Sequence, residues 1–378
     1  MFAPQFFYQQ LTQRGIDFYT GVPDSLLKDF CAYVCNHVNK EKHFIAVNEG
    51  CAVALACGYH FATGKIPLVY MQNSGLGNAT NPLLSLADKQ VYSVPLLLLV
   101  GWRGEPNVKD EPQHITQGEV SEAMLKAMRI PYIILSKEEC IVMQQLDTVF
   151  KTLNQENAPF AILIQKDTFS TEPFNNEQTI DSSLLREDGI KEVLNFTTKN
   201  DIIVSTTGMT SRELYDIREQ LGQGHHQDFL TVGSMGHASQ IALGIALNKP
   251  MHKVYCLDGD GAMLMHLGGL ATVANCNPNN YIHVILNNGA HDSVGGQPTV
   301  AHTIDIQSLA QSLGYQTVGK AKSRKEIQNF LSNLEKYPAL LEVCVKKGVR
   351  KDLGRPKTLP VENKEEFMRF LEMKYWIT

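Results

Sequence analysis

An aspartate set between two glycines, Gly259-Asp260-Gly261, is followed one helical segment and one apolar run later by Asn287-Asn288-Gly289. A carboxylate, an amide oxygen and a main-chain carbonyl exposed beside a glycine are hard oxygen donors, the kind of set that suits Mg2+ and the phosphates it brings. One carboxylate leaves a divalent ion mostly uncompensated, and a diphosphate can supply the remaining charge. Either piece alone is a common turn. Joined across one β-α-β unit, they point to a bound ion.

Other stretches carry chemistry of their own. In "HFIAVNEGCAVALACGYHFATGK" a carboxylate, Glu49, closes a short apolar strand and opens an alanine-rich helix, either as an acid-base group or as a charge that complements the helix dipole. Asp24, with Ser25 beside it, follows the strand-like "DFYTGV", a place where an aspartate commonly serves as a helix N-cap. "GWRGEPNVKDEPQH" brings Arg103, Lys109 and His114 into one long segment without obvious secondary structure, and such segments are usually functional or disordered. Trp102 and Pro106 argue against disorder, while Glu105, Asp110 and Glu111 dilute the positive charge. "STTGMTSREL" is a strand-to-helix turn in which the amides of Thr207, Gly208 and Met209 either hold phosphate oxygens or simply start a helix. A second basic cluster, residues 346–357, either closes over a site or decorates a C-terminal arm.

The elements that must position these groups alternate. Short β-rich runs, "KIPLVYM", "VPLLLLV", "PYIIL" and "PFAILIQ", are separated by helical patterns, and the alternation resumes with "DIIVST", "KVYCL", "YIHVIL" and "ALLEVCV". That pattern predicts an α/β protein of doubly wound parallel sheets. "AMLMHLGGLATVANC" reads as one helix between two of the strands, which places Asp260 and Asn288 at the carboxyl ends of neighbouring strands, where ligands bind. The polar, turn-rich "DTFSTEPFNNEQTIDSS" divides the chain, giving a first domain over 1–168, a linker over 169–185 and a second domain over 186–378 that ends in a C-terminal arm.

Composition excludes several classes. With 43% hydrophobic residues among 378, the chain can bury a large core. A net charge of −5 gives no general attraction to nucleic acid or anionic membrane. Eight scattered cysteines without metal-like spacing read as reduced thiols. No apolar run approaches a membrane span and the start lacks a basic leader, so a cytoplasmic protein is expected. A Rossmann dehydrogenase fits poorly, because "GDGAML" and "SGLGNATNPL" both lack the third glycine of that fingerprint.

The Gly259-Asp260-Gly261 and Asn287-Asn288 pair resembles the diphosphate-and-magnesium motif of the thiamine diphosphate-dependent enzymes. The resemblance implies the thiamine diphosphate-binding fold, with a pyrimidine-binding and a diphosphate-binding domain and no middle domain. It implies Asp260, Asn288 and the carbonyl of Ala290 as metal ligands, and Glu49 as the carboxylate that exchanges a proton with the cofactor's aminopyrimidine ring. "TVGSMGHASQIALGIAL" is similar to the family stretch whose apolar residue wedges the bent cofactor, here Met235 beside Ser234. Thr207, Gly208, Met209, Gly259, Gly261 and Ala262 complete the implied cofactor set. "SGLGNATNPL" resembles the family's glycine-rich architecture.

Longer runs, "GVPDSLL", "QNSGLGNATNPL", "GWRGEPNVKDEPQH" and "STTGMTSREL", resemble the family's phosphonopyruvate decarboxylase branch, with the sulfopyruvate decarboxylases as near relatives. The resemblance implies non-oxidative decarboxylation of a small phosphonate keto acid to phosphonoacetaldehyde and CO2, a step towards 2-aminoethylphosphonate. Asp24, Ser25, Arg103, Lys109 and His114 are then the substrate-binding candidates. Relatives carry a histidine pair in the segment equivalent to 101–118, whereas this chain has only His114 there. His114, His291 and Asp24 therefore all stay open as proton donor. A homo-oligomer is implied, with Glu49 and Asp260 meeting across a subunit interface. Other readings are a carboligase and a non-catalytic nucleotide-binding protein.

Overall fold

The computed structural model describes residues 1–175 and 182–372. Part of the expected linker, 176–181, lies outside the described residues. The chain divides into two compact units, Met1–Glu177 with Ser293–Gln297, and Gln178–Asp292 with Pro298–Thr378.

The first unit is built on a six-stranded sheet: β1 (Tyr19–Gly21), β2 (His43–Ile45), β3 (Leu68–Gln72), β4 (Leu97–Gly101), β5 (Tyr132–Ile134) and β6 (Phe160–Ile164), in the order β2-β1-β3-β4-β6-β5. Every pairing is parallel. Side chains alternate across a strand, so the continuous apolar runs fill both faces. Leu68, Tyr70, Leu97, Leu99, Ile162 and Ile164 enter one core, and Val69, Met71, Leu98, Val100, Ala161 and Leu163 the other. This two-sided burial is why the strands read as unbroken hydrophobic stretches.

The second unit repeats the plan with β7 (Ile202–Ser205), β8 (Asp228–Leu230), β9 (Val254–Gly259), β10 (Tyr281–Asn287), β11 (Thr317–Ala321) and β12 (Ala339–Cys344), ordered β11-β12-β10-β9-β7-β8 and parallel throughout. One face carries Tyr255, Leu257, Ile282, Val284, Leu286, Leu341 and Val343 in an apolar core. The same three strands bury Cys256, Asp258, His283, Asn287 and Glu342 at 1% exposure or less. A buried polar row of this kind must be hydrogen-bonded; His283 Nε2 lies 3.2 Å from Asp258 Oδ2, and Asn287 Nδ2 donates to Glu342 Oε1 at 2.8 Å.

Two local expectations need correction, and a third stretch takes a form the sequence left open. "AMLMHLGGLATVANC" is two helices, Asp260–Met265 and Gly268–Cys276, because His266 leaves helical geometry at φ −130°, ψ 50° just before the Gly268-Gly269 pair. "SGLGNATNPL" is helical, with a 3-10 turn at Asn73–Gly75 leading into Leu76–Pro82. The segment after β4 becomes a helix at Pro112, spanning Pro112–Ala127. Among the described residues no helix is long and apolar enough to cross a membrane.

Candidate functional site

In an open parallel sheet, ligands bind beyond the carboxyl ends of the strands where the strand order reverses. In the second unit that point lies between β7 and β9, and the candidate residues gather there. β7 runs into Gly208, which adopts φ 91°, ψ −135° and starts the helix Met209–Gln220. Thr207 Oγ1 donates to the Val232 carbonyl at 2.8 Å, fixing the turn. β9 ends in Gly259, and Asp260 opens the next helix. Asp258 steadies this turn by accepting from the Gly259 amide at 2.9 Å while its other oxygen faces His283.

Asp260 is 2% exposed. Oδ2 accepts from the Thr299 hydroxyl and Oδ1 from the Asn288 amide at 3.4 Å. Burial lifts its carboxyl to about 6, against the pull of these donors. A buried carboxylate whose hydrogen-bond partners are a hydroxyl and an amide, with no cationic side chain among them in the described residues, fits a site that receives a cation. Asn288, at the end of β10, donates Nδ2 to Asp292 Oδ2 at 2.6 Å. Its Oδ1 accepts from the Ala290 amide at 3.0 Å and keeps a second lone pair. Gly289, at φ 63°, makes the turn between them; a Cβ there would fall 2.0 Å from His302 Nε2. The oxygen set therefore fits Mg2+ and, through it, a diphosphate.

Gly261 packs beneath His291, whose Cε1 would lie 3.1 Å from a Cβ at that position. Burial holds the His291 imidazole down at about 4, so it is neutral at neutral pH. Ala262 is buried, Ser234 is exposed at φ 51°, and Met235 is half-buried beside it. Cys256, Asp258 and His283 lie close enough to suggest a second metal centre. Burial, with Asp258 nearby, pushes the Cys256 thiol well up, so the trio reads as a neutral thiol next to an Asp–His hydrogen bond.

In the first unit, Asn48 caps the helix Glu49–Thr63 by accepting from the Gly50 amide. Glu49 is 5% exposed, and Asn78 Nδ2 donates to its Oε2 at 2.8 Å. Gly75 makes the room; a Cβ there would come within 2.6 Å of Glu49 Cγ and Oε1. Asn78 and Gly75 lie in the glycine-rich stretch that the sequence marks only as architecture; their contacts with Glu49 carry no local sequence signal.

Asp24, Ser25, Arg103, Asp110 and His114 come together near the ends of β1 and β4. Asp24 is fully buried and is not a helix N-cap, since the helix Lys28–His37 begins later; Oδ2 accepts from the Leu26 amide at 2.9 Å. Its Oδ1 has no partner. Burial raises this carboxyl to about 6, with Arg103 pulling it down. Gly101 must be glycine, since a Cβ would lie 2.0 Å from Asp24 Oδ2. Arg103 is paired within the segment: Nε donates to Asp110 Oδ2 at 2.8 Å, Nη2 pairs with the other oxygen, and Nη1 reaches Ser25 Oγ at 2.6 Å. Burial, then the Arg103 charge, holds His114 at about 4. Asn73, equally without a local sequence signal, ties β3 to β4 by donating to the Arg103 carbonyl at 2.8 Å. Lys109 is exposed and lies outside the bonded cluster. The basic segment 346–357 is pinned down, with Arg350 paired to Glu187, Asp216 and Asp352.

Two parallel α/β units carrying these strand-end clusters define a cofactor-dependent enzyme of the thiamine class. Family models described as "Thiamine pyrophosphate enzyme, N-terminal TPP binding domain" and "C-terminal TPP binding domain" match residues 1–125 and 206–343. The chain is 32% identical to a phosphonopyruvate decarboxylase of Streptomyces hygroscopicus, across 95% of this chain and 92% of that one. A phosphonopyruvate decarboxylase of Streptomyces viridochromogenes is 31% identical, across 96% and 93%. A sulfopyruvate decarboxylase of Methanosarcina acetivorans is 28% identical, across 96% of both chains. The chain belongs to the thiamine diphosphate-dependent decarboxylase family.

Proposed function

We propose that this enzyme decarboxylates 3-phosphonopyruvate to phosphonoacetaldehyde and CO2 with thiamine diphosphate and Mg2+, as a step towards 2-aminoethylphosphonate. The observation that carries the reading is likeness to phosphonopyruvate decarboxylases along nearly the whole of both chains. Residues 1–168 would bind the pyrimidine and 186–378 the diphosphate, in a cytoplasmic homo-oligomer with active sites at subunit interfaces.

When bound, thiamine diphosphate supplies the electron sink for loss of CO2 from a 2-keto acid. Asp260, the Asn288 oxygen and the Ala290 carbonyl would hold the metal ion. Thr207, Gly208, Met209, Ser234, Gly259, Gly261 and Ala262 would hold the diphosphate, and Met235 would support the rings. Asn78 occupies Glu49 Oε2, which leaves Oε1, on the Gly75 side, to carry a proton to and from the aminopyrimidine. Asp110 and Ser25 orient the Arg103 guanidinium, which with Lys109 would meet the phosphonate and carboxylate. With burial holding both at about 4, His114 and His291 are neutral at neutral pH and either would have to take up a proton on its free ring nitrogen before donating one, while Asp24 is an acid only near and below about 6.

The test is CO2 release from phosphonopyruvate, sulfopyruvate and pyruvate in parallel, with and without added thiamine diphosphate. The reading predicts cofactor-dependent release with phosphonopyruvate preferred. Preference for sulfopyruvate would replace it with the nearest alternative, and acyloin formation from an added aldehyde would make the chain a carboligase.

A further inference from the structure

The Asn288 side chain has two nearly isosteric ends, and only the oxygen can hold a cation; the amide nitrogen presents two N–H groups that repel one. Something must set which end faces the site. Asp292, four residues on, is the group in contact with the nitrogen end. Its Oδ2 accepts from Asn288 Nδ2 at 2.6 Å, from Arg186 Nη1 at 3.1 Å and from the Gly348 amide at 3.0 Å. A carboxylate only accepts, so it can pair with the nitrogen end and rejects the oxygen.

The carboxylate is itself braced. Arg186 grips Glu213 with both Nε and Nη2, at 2.7 and 2.9 Å, and the three side chains are 6%, 3% and 8% exposed for Arg186, Glu213 and Asp292. A bidentate Arg–carboxylate fork is geometrically rigid, so Arg186 holds Asp292 at a fixed height above the β10 turn. The Gly348 contact also brings the start of the basic 346–357 segment into this brace.

We propose that Asp292, held by Arg186 and Gly348, is a positioning residue that fixes the Asn288 amide with its oxygen towards the metal ion. The inference rests on the magnesium reading given above. Removal of such outer-layer partners typically weakens metal binding about 10–100-fold.

The test is a double-mutant cycle read by calorimetric titration of Mg2+ into chelator-stripped protein with saturating thiamine diphosphate. Asp292→Ala removes the acceptor that holds the nitrogen end, so the Asn288 amide is free to turn over and Mg2+ affinity falls about tenfold or more. In an Asn288→Asp background the ligand has two equivalent oxygens and Asp292 only repels it. There, Asp292→Ala leaves affinity unchanged or strengthens it. Equal weakening in both backgrounds, or none in the natural one, overturns the proposal. If the wild-type protein itself shows no Mg2+-dependent binding, the parent reading falls and takes this one with it. Arg186→Lys is the second probe, since an ammonium cannot serve both carboxylates in a fixed fork; it weakens Mg2+ binding in the same direction, and wild-type affinity in a folded Arg186→Lys protein counts against the brace.

Discussion

Asp24 offers a test in which the sign as well as the size is set by the structure. It is fully buried, Oδ1 has no partner, and burial lifts its carboxyl from 3.8 to about 6 despite Arg103. A raised acid binds its proton more tightly in the folded chain than in the unfolded one. Its contribution to stability therefore falls as pH rises from near 3.8 to about 6 and is level above that. A separation of roughly two pH units at 1.36 kcal/mol each makes the full loss about 3 kcal/mol. About 1 kcal/mol of it is already expressed at pH 4.5 and nearly all at pH 7.5, leaving a span of about 2 kcal/mol. Asp24→Asn removes the titration while its amide oxygen can still accept from Leu26. Constant offsets, such as the cost of burying the new N–H groups, cancel when the two proteins are compared across pH. Urea unfolding at pH 4.5, 6.0 and 7.5 should show the variant gaining about 2 kcal/mol on the wild type between the extremes. A difference that stays flat across this range, or that shrinks as pH rises, refutes the argument.

Glu49→Gln should fold and bind thiamine diphosphate but lose turnover by about 10²–10⁴-fold, the usual worth of a positioned proton-transfer group; wild-type turnover would remove Glu49 from the chemistry. Gly75→Ala places a methyl 2.6 Å from Glu49 Cγ and Oε1. It should cost about 1–3 kcal/mol in unfolding free energy, with a fall in turnover that distinguishes it from simple core strain. Asp260→Ala should abolish Mg2+-dependent cofactor binding in a titration while leaving the circular dichroism spectrum unchanged.

The fold was readable because burial on both faces of parallel sheets forces unbroken β-rich runs, and the runs from "PLVYM" to "LLEVCV" all became strands at the expected places. The Gly259-to-Asn288 unit was readable for a related reason: its spacing is that of the helical stretch and the one strand that follow the end of β9. What escaped lay across contacts that carry no local pattern. Asn78 reaches Glu49 from another helix, Thr299 reaches Asp260 across a turn, and Asp292 meets Arg186 from a separate element. Asp110 lay in plain view, yet sequence order cannot show that it folds back onto Arg103 and fixes its guanidinium. Gly236 likewise packs against the ring of His266, where the helix breaks, so closely that a Cβ there would sit 2.5 Å away.

The central claim is that thiamine diphosphate binds through a divalent ion held at Asp260 and Asn288. Titration of the cofactor into chelator-stripped protein, with and without Mg2+, tests it most directly. One equivalent bound per chain in Mg2+ and none in its absence is the predicted result; no binding in Mg2+, or the same affinity whether or not the ion is present, contradicts it.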